Sequence, residues 1–316
     1  MRTERGFEFL ETDVLVVGSE GAGGRAAIAA FEAGAKVTIA TKGRVGRTGA
    51  TVTAGADYTV DGKSAKEICG LSGDERDSPD LYFKDIVTEG LFLGNQELVQ
   101  AHVDGAPITL RELVDWGMEV FFFESAHHQE MARGAITSGP IIMKTIRNQV
   151  KKRGIRALED VMVLELLIES GRVAGAVVLD MNRGEIIVIQ AKAVILATGG
   201  WQRAWSFSIA PHELTGDGQA MAYRAGAEMI DMEMVQFAPG VVIWPPRFKG
   251  SNVPYILNLL LGEDEGELLK SKGERFMEKY DPVRMEHTSK EIWSLAIVSE
   301  VLAGRGTPHG GVWWSF

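Results

Sequence analysis

A glycine-rich segment near the start of the chain has the residue types and spacing of a phosphate-binding turn. It lies between the apolar run 13–17 and the alanine-rich stretch 22–33, and it consists of Gly18, Ser19, Glu20, Gly21, Ala22 and Gly23. In a dinucleotide-binding fold, the first glycine permits a tight turn, the second lets the backbone approach a pyrophosphate, and the third lets helix pack on strand. The helix N-terminus then attracts phosphate through its free N–H groups. The pattern predicts a dinucleotide site; a glycine-rich turn that binds no nucleotide is the alternative.

The middle position of this motif departs from the pattern, because Glu20 stands where a glycine is expected. A carboxylate beside a pyrophosphate is electrostatically unfavourable, so we expect the Glu20 side chain to turn to solvent. Gly21, the next residue, would relieve crowding of the backbone against a ligand.

A second apolar run, 36–40, leads into a segment that could contact a nucleotide ribose. The segment consists of Ala40, Thr41, Lys42 and Gly43. Dinucleotide folds usually place an acid here to bind ribose hydroxyls. None is present, which leaves Thr41 as a weaker hydrogen-bonding group. The small, hydroxyl-rich loop that follows suits close approach to a cofactor and equally suits a plain surface loop; it includes Thr48, Gly49, Ala50 and Gly55.

Two later segments extend the same pattern. A strand-like run over 193–197 enters a glycine pair, which predicts a second backbone approach to a nucleotide; its last residues are Ala197, Thr198, Gly199 and Gly200. A short helix is then predicted over 216–226. Asp217 lies at its start, where the carboxylate is predicted to cap the helix N-terminus, alone or with a contact to the nucleotide.

The elements that must position these residues follow from hydrophobic periodicity. The first strand, helix and second strand are predicted over 13–17, 22–33 and 36–40. A β-meander with tight turns is predicted further on. Its strands are 161–168, 173–179, 186–189 and 193–197.

Helical patterns and a change in composition complete the predicted organisation. Helices are predicted over 81–94, over 95–117 with a break near Pro107, and over 140–153, whereas 64–84 is predicted to be irregular. Prolines, tryptophans and charged loops begin near Pro239. This change predicts two domains, residues 1–239 and 240–316.

Composition bounds the class of protein. The chain has 316 residues, 45% of them hydrophobic, and a formal net charge of −10 at pH 7. An acidic surface disfavours binding to nucleic acid or to anionic membranes. Cys69 is the single cysteine, which excludes an intrachain disulfide and a cysteine-based iron–sulfur or zinc site. A charged N-terminus and the lack of a long apolar run predict a cytoplasmic protein without signal peptide or membrane span.

In their order along the chain, these motifs resemble those of the flavoprotein subunits of succinate dehydrogenase and fumarate reductase, a family that also includes L-aspartate oxidase. The matching segments cover nearly the whole chain. They are residues 18–27, 41–43, 47–48, 110–117 (LRELVDWG), 137–139, 193–200 (AVILATGG), 215–227 (TGDGQAMAYRAGA), 231–239 (DMEMVQFAP), 273–280 (GERFMEKY) and 304–306. The resemblance implies an α/β fold: a Rossmann-like FAD-binding domain with a parallel sheet and a β-meander, plus part of an α+β capping domain.

The resemblance further implies that the cofactor is FAD and assigns it a set of residues. The glycine turn would meet the pyrophosphate, and Thr41 with Lys42 would lie near the adenosine ribose. Residues 48–55 would line the flavin, and residues 161–163 the adenine edge. The implied cofactor-binding set is Gly18, Ser19, Gly21, Ala22, Gly23, Ala40, Thr41, Lys42, Gly43, Thr48, Gly49, Ala50, Gly55, Val161, Met162, Val163, Ala197, Thr198, Gly199, Gly200 and Asp217.

One departure concerns how FAD is held. In family members that belong to membrane complexes, a histidine follows the position of Thr48 and is bonded covalently to FAD. Gly49 stands at that position here. The resemblance therefore implies that FAD is bound non-covalently.

Other departures concern the substrate. The family's dicarboxylate site uses a histidine in a QFHP-like segment, where Ala238 stands, and a Thr–Glu pair, where Asn258 and Leu259 align. It uses an arginine to transfer a proton, where Lys290 aligns; a lysine can act as an acid but lacks the guanidinium fork. These losses predict a substrate other than succinate or fumarate. Lys290 is the candidate catalytic residue, and a surface lysine without a role is the alternative.

The family implies partners as well as chemistry. Its members transfer hydride between FAD and a small-molecule substrate, and they continue past the position of Phe316. Either a second chain completes the capping domain, or the chain is a natural truncation or a fragment. We expect a location that is cytoplasmic or peripheral to a membrane complex, and an iron–sulfur or other electron-carrier subunit as partner. The alternatives are a truncated, non-catalytic flavoprotein that acts within a complex, and an NAD-binding dehydrogenase, which the missing ribose acid disfavours.

One further pair resembles a metal site. His127 and His128 are adjacent, but neighbouring residues on a strand face opposite ways. No metal site is predicted from them.

Overall fold

The computed structural model describes residues 7–54, 57–122, 131, 133–251 and 266–315. The strands are β1 (Glu8–Val17), β2 (Val37–Ala40), β3 (Asp57–Thr59), β4 (Phe121–Phe122), β5 (Gly134–Ile136), β6 (Arg156–Leu158), β7 (Val161–Glu169), β8 (Arg172–Asp180), β9 (Glu185–Leu196), β10 (Glu267–Leu269) and β11 (Trp313–Ser315). The α-helices are α1 (Gly21–Glu32), α2 (Ala50–Thr53), α3 (Gly62–Glu67), α4 (Pro79–Glu89), α5 (Gln96–Asp115), α6 (Gly139–Lys152), α7 (Asp217–Arg224) and α8 (Lys290–Leu302). Short 3-10 helices occur at Gln202–Ala204, Pro246–Phe248, Met277–Lys279 and Met285–His287. Residues singled out in the sequence that lie outside the described ranges are Gly55, His127, His128, Asn258 and Leu259.

A six-stranded sheet in the order β6-β2-β1-β9-β8-β7 is the framework of the candidate site. β1 pairs in parallel with β2 on one side and with β9 on the other, and β2 pairs in parallel with β6. β8 pairs antiparallel with both β9 and β7, which makes the meander. This arrangement confirms the predicted α/β fold with a parallel sheet and a β-meander.

The core of this sheet joins the parallel strands to the meander. Its buried side chains are Leu15, Val17, Ala40, Val161, Val163, Ala176, Val178, Ile187, Ile189, Ala191 and Met221. Most of the buried residues on β7, β8 and β9 recur at every second position, so one face of each strand is buried. Burial of a large apolar side chain stabilises the fold by about 1.5–3 kcal/mol. It also fixes the register of the strands that carry the cavity residues.

Two strands differ from their predicted bounds by more than one residue. β1 begins at Glu8 rather than Asp13, because its first residues pair with β9 from Ile187 onward. The segments 186–189 and 193–197 were predicted as two strands, but 186–189 and 193–196 belong to the single strand β9. Its first half pairs with β8 and most of its length pairs with β1, so backbone hydrogen bonds carry the strand through the polar residues between the two apolar runs.

Two helical predictions are wrong in detail. α5 runs unbroken through Pro107, because burial of one helical stripe outweighs the hydrogen bond that the proline removes. That buried stripe is Val103, Ala106, Leu110 and Leu113. The segment 64–84, predicted to be irregular, contains most of α3 and the start of α4. The side chain of Asp61 accepts a hydrogen bond from Ser64 N–H, and that of Ser78 accepts one from Leu81 N–H, so both helices have the N-caps that favour them.

The chain divides into two compact units. The first consists of Met1–Tyr58, Leu110–Phe121 and Ile136–Ile230, and the second of Thr59–Thr109, Phe122–Ala135 and Asp231–Phe316. In the second unit, β10 and β11 pair antiparallel. A core beside them buries residues of α8; it consists of Leu268, Phe276, Met277, Trp293 and Ala296. The domain boundary at residue 239 stays a prediction.

Candidate cofactor-binding site

A cavity in the first unit opens where three parallel strands end. β1, β2 and β9 end at Val17, Ala40 and Leu196. Gly18 N–H donates to the Ala40 carbonyl at 2.9 Å, and Ala197 N–H donates to the Val17 carbonyl at 2.8 Å. The segments that follow the three strands therefore leave the sheet side by side at the carboxyl ends of the strands, which is where open α/β sheets bind ligands. The space at this cavity is about 570 Å³, a figure that includes its solvent-open mouth.

The cavity wall brings together most of the residues predicted from the sequence. These are Gly18, Ser19, Ala40, Thr41, Lys42, Gly43, Thr48, Gly49, Val161, Val163, Ala197, Thr198 and Asp217. The wall also includes four residues that sequence reasoning missed: Val17, Glu20, Glu213 and Met221. Other predicted residues belong to the same elements or adjoining loops without being part of this wall: Gly21, Ala22, Gly23, Ala50, Met162, Gly199 and Gly200. The cofactor-binding roles of all the predicted residues, Gly55 included, stay predictions.

Two glycines of the turn are required by close backbone contacts. Gly18 has a φ of +106°, and a Cβ there would collide with the Ala197 carbonyl. A Cβ on Gly23 would collide with the Gly18 carbonyl, so this glycine lets α1 pack against the end of β1. At Gly21 the nearest atom to an added Cβ is the Thr51 hydroxyl at 3.4 Å. The first and third glycines therefore build the turn, whereas Gly21 leaves space beside the loop that carries Thr51.

The N-terminus of α1 begins directly after the end of β1, and its N-cap residue does not cap it. The side chain of Glu20, the N-cap residue, accepts no hydrogen bond from the first turn of α1. The first turn of α1 contains no acidic residue. An uncapped helix N-terminus of this kind binds anions through its N–H groups and its dipole.

Glu20 turns toward the loop rather than to solvent. Its carboxylate accepts a hydrogen bond from Thr51 N–H at 2.8 Å and from the Thr51 hydroxyl at 3.3 Å. Gly21 N–H donates to the same hydroxyl at 3.3 Å. The expectation of a solvent-directed side chain is therefore wrong, because the backbone of α2 offers donors that satisfy the carboxylate.

Lys42 and Asp217 form an ion pair at the cavity wall. Lys42 Nζ also donates to the Thr215 hydroxyl at 2.6 Å and to the Glu213 carbonyl at 3.2 Å. Thr215 Oγ1 in turn donates to the Asp217 carboxylate at 3.0 Å. The predicted capping role of Asp217 is wrong: Gly216 is the N-cap of α7 and no side chain caps that helix start. The carboxylate instead joins Lys42, in the segment after β2, to the start of α7.

Hydroxyl groups and apolar side chains complete the wall. Ser19 Oγ donates to Thr41 Oγ1 at 3.0 Å, and both side chains are buried. The Thr48 hydroxyl accepts from Arg44 N–H at 2.8 Å, which holds the loop after β2. On β7, Val161 and Val163 belong to the wall and Met162 does not, as the alternation of a strand requires. Met221 follows Asp217 by one helical turn on α7, and this i, i+4 spacing is the signal that could have found it.

Lys290, the candidate catalytic residue, lies in the second unit. It is the first residue of α8 and is half-buried. The neighbouring Glu291 carboxylate accepts from the Gln236 amide at 2.6 Å, and Ser294 Oγ donates to the Phe237 carbonyl at 2.6 Å. The segment 236–239, which carries Ala238, therefore lies beside the first turns of α8.

The residues of the cavity suit a dinucleotide. The helix N-terminus provides N–H donors for a pyrophosphate, the hydroxyls and Lys42 provide polar groups, and Val161 with Val163 provides an apolar surface for a ring. These are the features of a dinucleotide-binding α/β flavoprotein domain. Residues 13–313 match the family model of the FAD binding domain. The chain belongs to that family, and its cofactor is FAD.

The chain is similar to named proteins and to solved structures of the same kind. One subunit of the CoM/CoB fumarate reductase of Methanothermobacter marburgensis is 35% identical over 97% of this chain and 55% of its own length. The L-aspartate oxidase of Streptomyces coelicolor is 30% identical over 95% of this chain and 51% of its own. The structure of Mycobacterium smegmatis Sdh1 in complex with UQ1 has a TM-score of 0.79 at 30% identity, over 98% of this chain and 53% of that one.

These comparisons confirm the family that the sequence resembles: flavoprotein oxidoreductases of the succinate dehydrogenase, fumarate reductase and L-aspartate oxidase type. The chain spans about half the length of the relatives that it matches. Among the residues that the structure describes, no helix is long and apolar enough to cross a membrane.

Proposed function

We propose that this chain is the FAD-binding part of an oxidoreductase that transfers hydride between the flavin and a small organic substrate. The observation that carries the proposal is the cavity of the first unit, whose wall joins the glycine turn before α1 to the ends of β1, β2 and β9. Bound FAD supplies the redox chemistry, and the protein supplies position and electrostatics.

We assign each part of FAD to the groups of the cavity wall whose chemistry suits it. The N–H groups at the start of α1 bind the pyrophosphate, where the helix dipole favours negative charge. Thr41 and Lys42 contact the adenosine ribose, and Val161 with Val163 packs on the adenine edge. The loop from Thr48 lines the flavin. FAD is held without a covalent bond, because Gly49 offers no side chain to attach it.

The substrate is proposed to differ from a simple C4 dicarboxylate. The similar proteins carry names with different substrates, fumarate in one and L-aspartate in another. Ala238 offers a methyl group where a histidine would supply a hydrogen-bond donor. Lys290 is a compact point charge, which cannot bind a carboxylate with two parallel hydrogen bonds as an arginine can. Both residues lie in one part of the second unit, so the two changes support a different acid.

Lys290 is proposed as the proton donor to the substrate carbon next to the one that receives hydride. A separate carrier, such as an iron–sulfur subunit, is proposed to exchange electrons with the flavin, because a cysteine-ligated cluster needs several cysteines and the chain has only Cys69.

The test is anaerobic reoxidation of the reduced flavoprotein. Bound flavin is reduced with dithionite, and its visible band is followed after addition of fumarate or of larger unsaturated carboxylic acids. We expect fumarate to reoxidise the flavin no faster than buffer does, and another acid to reoxidise it. Rapid reoxidation by fumarate would contradict the proposed substrate class. A flavin that no acid reoxidises would support the non-catalytic alternative.

The Lys290→Met variant tests the proton donor in the same assay. With an active acid, we expect reoxidation to slow by about a hundredfold, within the range that general acid catalysis contributes. The FAD content should stay equal to that of the unaltered protein. Unchanged reoxidation would rule Lys290 out.

A further inference from the structure

Glu20 and Gly49 share one volume beside the cavity. A Cβ built on Gly49 would coincide with the carboxylate of Glu20. Gly49 is buried and has a φ of +90°, which side chains rarely adopt. Both residues belong to the cavity wall. Only one of the two positions can therefore carry a side chain in this arrangement.

The carboxylate of Glu20 also ties two parts of the wall together. It accepts from Thr51 N–H in the first turn of α2 at 2.8 Å, and the Thr51 hydroxyl bridges it to Gly21 N–H. α2 has only four residues and no side-chain cap at Gly49. A helix this short is not stable by itself, so contacts from outside must hold it in place.

These contacts have an electrostatic cost that the structure offsets. Glu20 is the N-cap residue of α1, so its charge lies near the helix terminus where a pyrophosphate would bind. Two hydrogen bonds from Thr51 direct the carboxylate toward α2. A carboxylate is a stronger hydrogen-bond acceptor than a neutral group. The bonds to Thr51 therefore offset the repulsion between the charge of Glu20 and a phosphate, which a glycine at this position would not cause.

We propose that Glu20 is a positioning residue for bound FAD. Its hydrogen bonds to Thr51, here called the latch, hold residues 49–53 against the phosphate turn. The carboxylate occupies the volume that a side chain at position 49 would need. The inference rests on the proposed role of the cavity as the FAD site. Glu20 acts through Thr51 and takes no part in hydride transfer.

The first experiment compares FAD release from two variants. In Glu20→Ala the latch is lost, and we expect FAD to dissociate about tenfold faster, as the loss of a helix cap predicts. Glu20→Gln keeps an oxygen that accepts from Thr51 N–H, so its release rate should stay within about threefold of the unaltered protein. A tenfold faster release in both variants, or in neither, would overturn the latch.

Hydrogen exchange of the Thr51 amide tests the latch without any cofactor. In protein stripped of FAD, we expect the amide to be protected in the unaltered chain and in Glu20→Gln, and to exchange at least about tenfold faster in Glu20→Ala. Equal protection in all three would overturn the proposal. If the unaltered chain bound no FAD at all, the proposed function would fail, whereas this exchange measurement would still decide whether the latch exists.

A double-mutant cycle tests the shared volume, and the Thr51→Val variant remains informative if Glu20→Ala is poorly stable. Gly49→Ala should weaken FAD binding by about a hundredfold in the unaltered chain. In the Glu20→Ala background the same substitution should cost about tenfold less, because the colliding carboxylate is gone. Equal costs in the two backgrounds would show that the positions do not compete.

The Thr51→Val variant, which loses only the hydroxyl, should speed FAD release by about threefold. An unchanged rate would show that the hydroxyl bridge to Gly21 does not contribute to FAD binding.

Discussion

Acidic side chains are important in both compact units, but their surroundings differ. In the first unit, Glu20 and Asp217 have hydrogen-bonding partners and still form part of the cavity wall. In the second unit, Glu300 is fully buried and Asp77 is 1% exposed. Asp77 accepts two hydrogen bonds from Arg133, at 2.7 and 2.8 Å.

The difference separates groups that stabilise the fold from groups that can serve a ligand. A buried ion pair is strongly destabilised when one partner is lost, because the other charge stays buried without compensation. A paired group at a cavity wall keeps access to water, so it can rearrange when a ligand binds. We therefore expect substitutions in the second unit's buried pairs to change stability, and substitutions at the cavity to change FAD affinity.

The largest expected effect is on the buried pair of the second unit. Arg133→Met leaves Asp77 buried without its partner and should lower the free energy of unfolding by about 3–5 kcal/mol. Arg76→Met is the control, because the side chain of Arg76 is 79% exposed in its pair with Asp74, and such pairs contribute about 0–1 kcal/mol. Denaturant unfolding measures both. Equal losses would show that burial does not distinguish the two pairs.

The next largest effect is on the glycine turn. Gly18→Ala puts a methyl group against the Ala197 carbonyl and should weaken FAD binding by at least about a hundredfold. Gly34→Ala is a matched control: its φ is also positive, at +87°, but nothing lies within 4 Å of the added methyl. The dissociation constant is measured by flavin fluorescence. Wild-type affinity in Gly18→Ala would contradict the role of the turn.

Local sequence was sufficient to predict much of this cavity. The apolar run, the glycines after it and the alanine-rich stretch predict β1, the turn and α1. Each of these elements depends on residues that are close together in the sequence. The same holds for the strand β9, which ends at Leu196. The direction of the Glu20 side chain and the helix-capping role of Asp217 were predicted wrongly. Each depends on a partner far along the chain, Thr51 for Glu20 and Lys42 for Asp217, and single-residue propensities do not contain that information.

The helices show the same limit. The caps at Asp61 and Ser78 are local signals that could have identified α3 and α4. The continuity of α5 through Pro107 could not be found in this way, because it depends on burial of the stripe that contains Leu110 and Leu113.

A smaller effect is expected from the ion pair at the cavity wall. Lys42→Met removes the link to Asp217 and to the Thr215 hydroxyl, and it should weaken FAD binding by about threefold to tenfold. Lys192→Met is the control, since Lys192 pairs with Asp13 and is 82% exposed. Calorimetric titration with FAD measures both. An equal change in the two variants would mean that net charge, rather than the cavity contact, sets affinity.

The last effect is a dependence of stability on acid pH. Hydrogen bonds from Arg305 are the main reason that the pKa of Glu300 is lowered from 4.5 to about 2, although burial acts in the opposite direction. A lowered folded-state pKa means that the stabilisation is present above the unfolded-state pKa. It is lost as the pH falls from about 4.5 toward about 2.

Glu300→Gln should therefore flatten the pH dependence of unfolding in that window, as measured by denaturant titrations at several pH values. The exposed Glu274, which is paired with Lys270, gives a control in Glu274→Gln with a slope like that of the unaltered chain. Parallel slopes in all three proteins would contradict the role of Glu300.

The most direct test of the central claim is the flavin content of the purified chain after incubation with FAD and removal of the excess. The protein is precipitated with acid, and flavin is measured in the supernatant and the pellet. The cavity at the ends of β1, β2 and β9 predicts near-stoichiometric FAD in the supernatant and none in the pellet. A colourless protein that takes up no FAD, or flavin that stays with the pellet, would contradict a non-covalent FAD site.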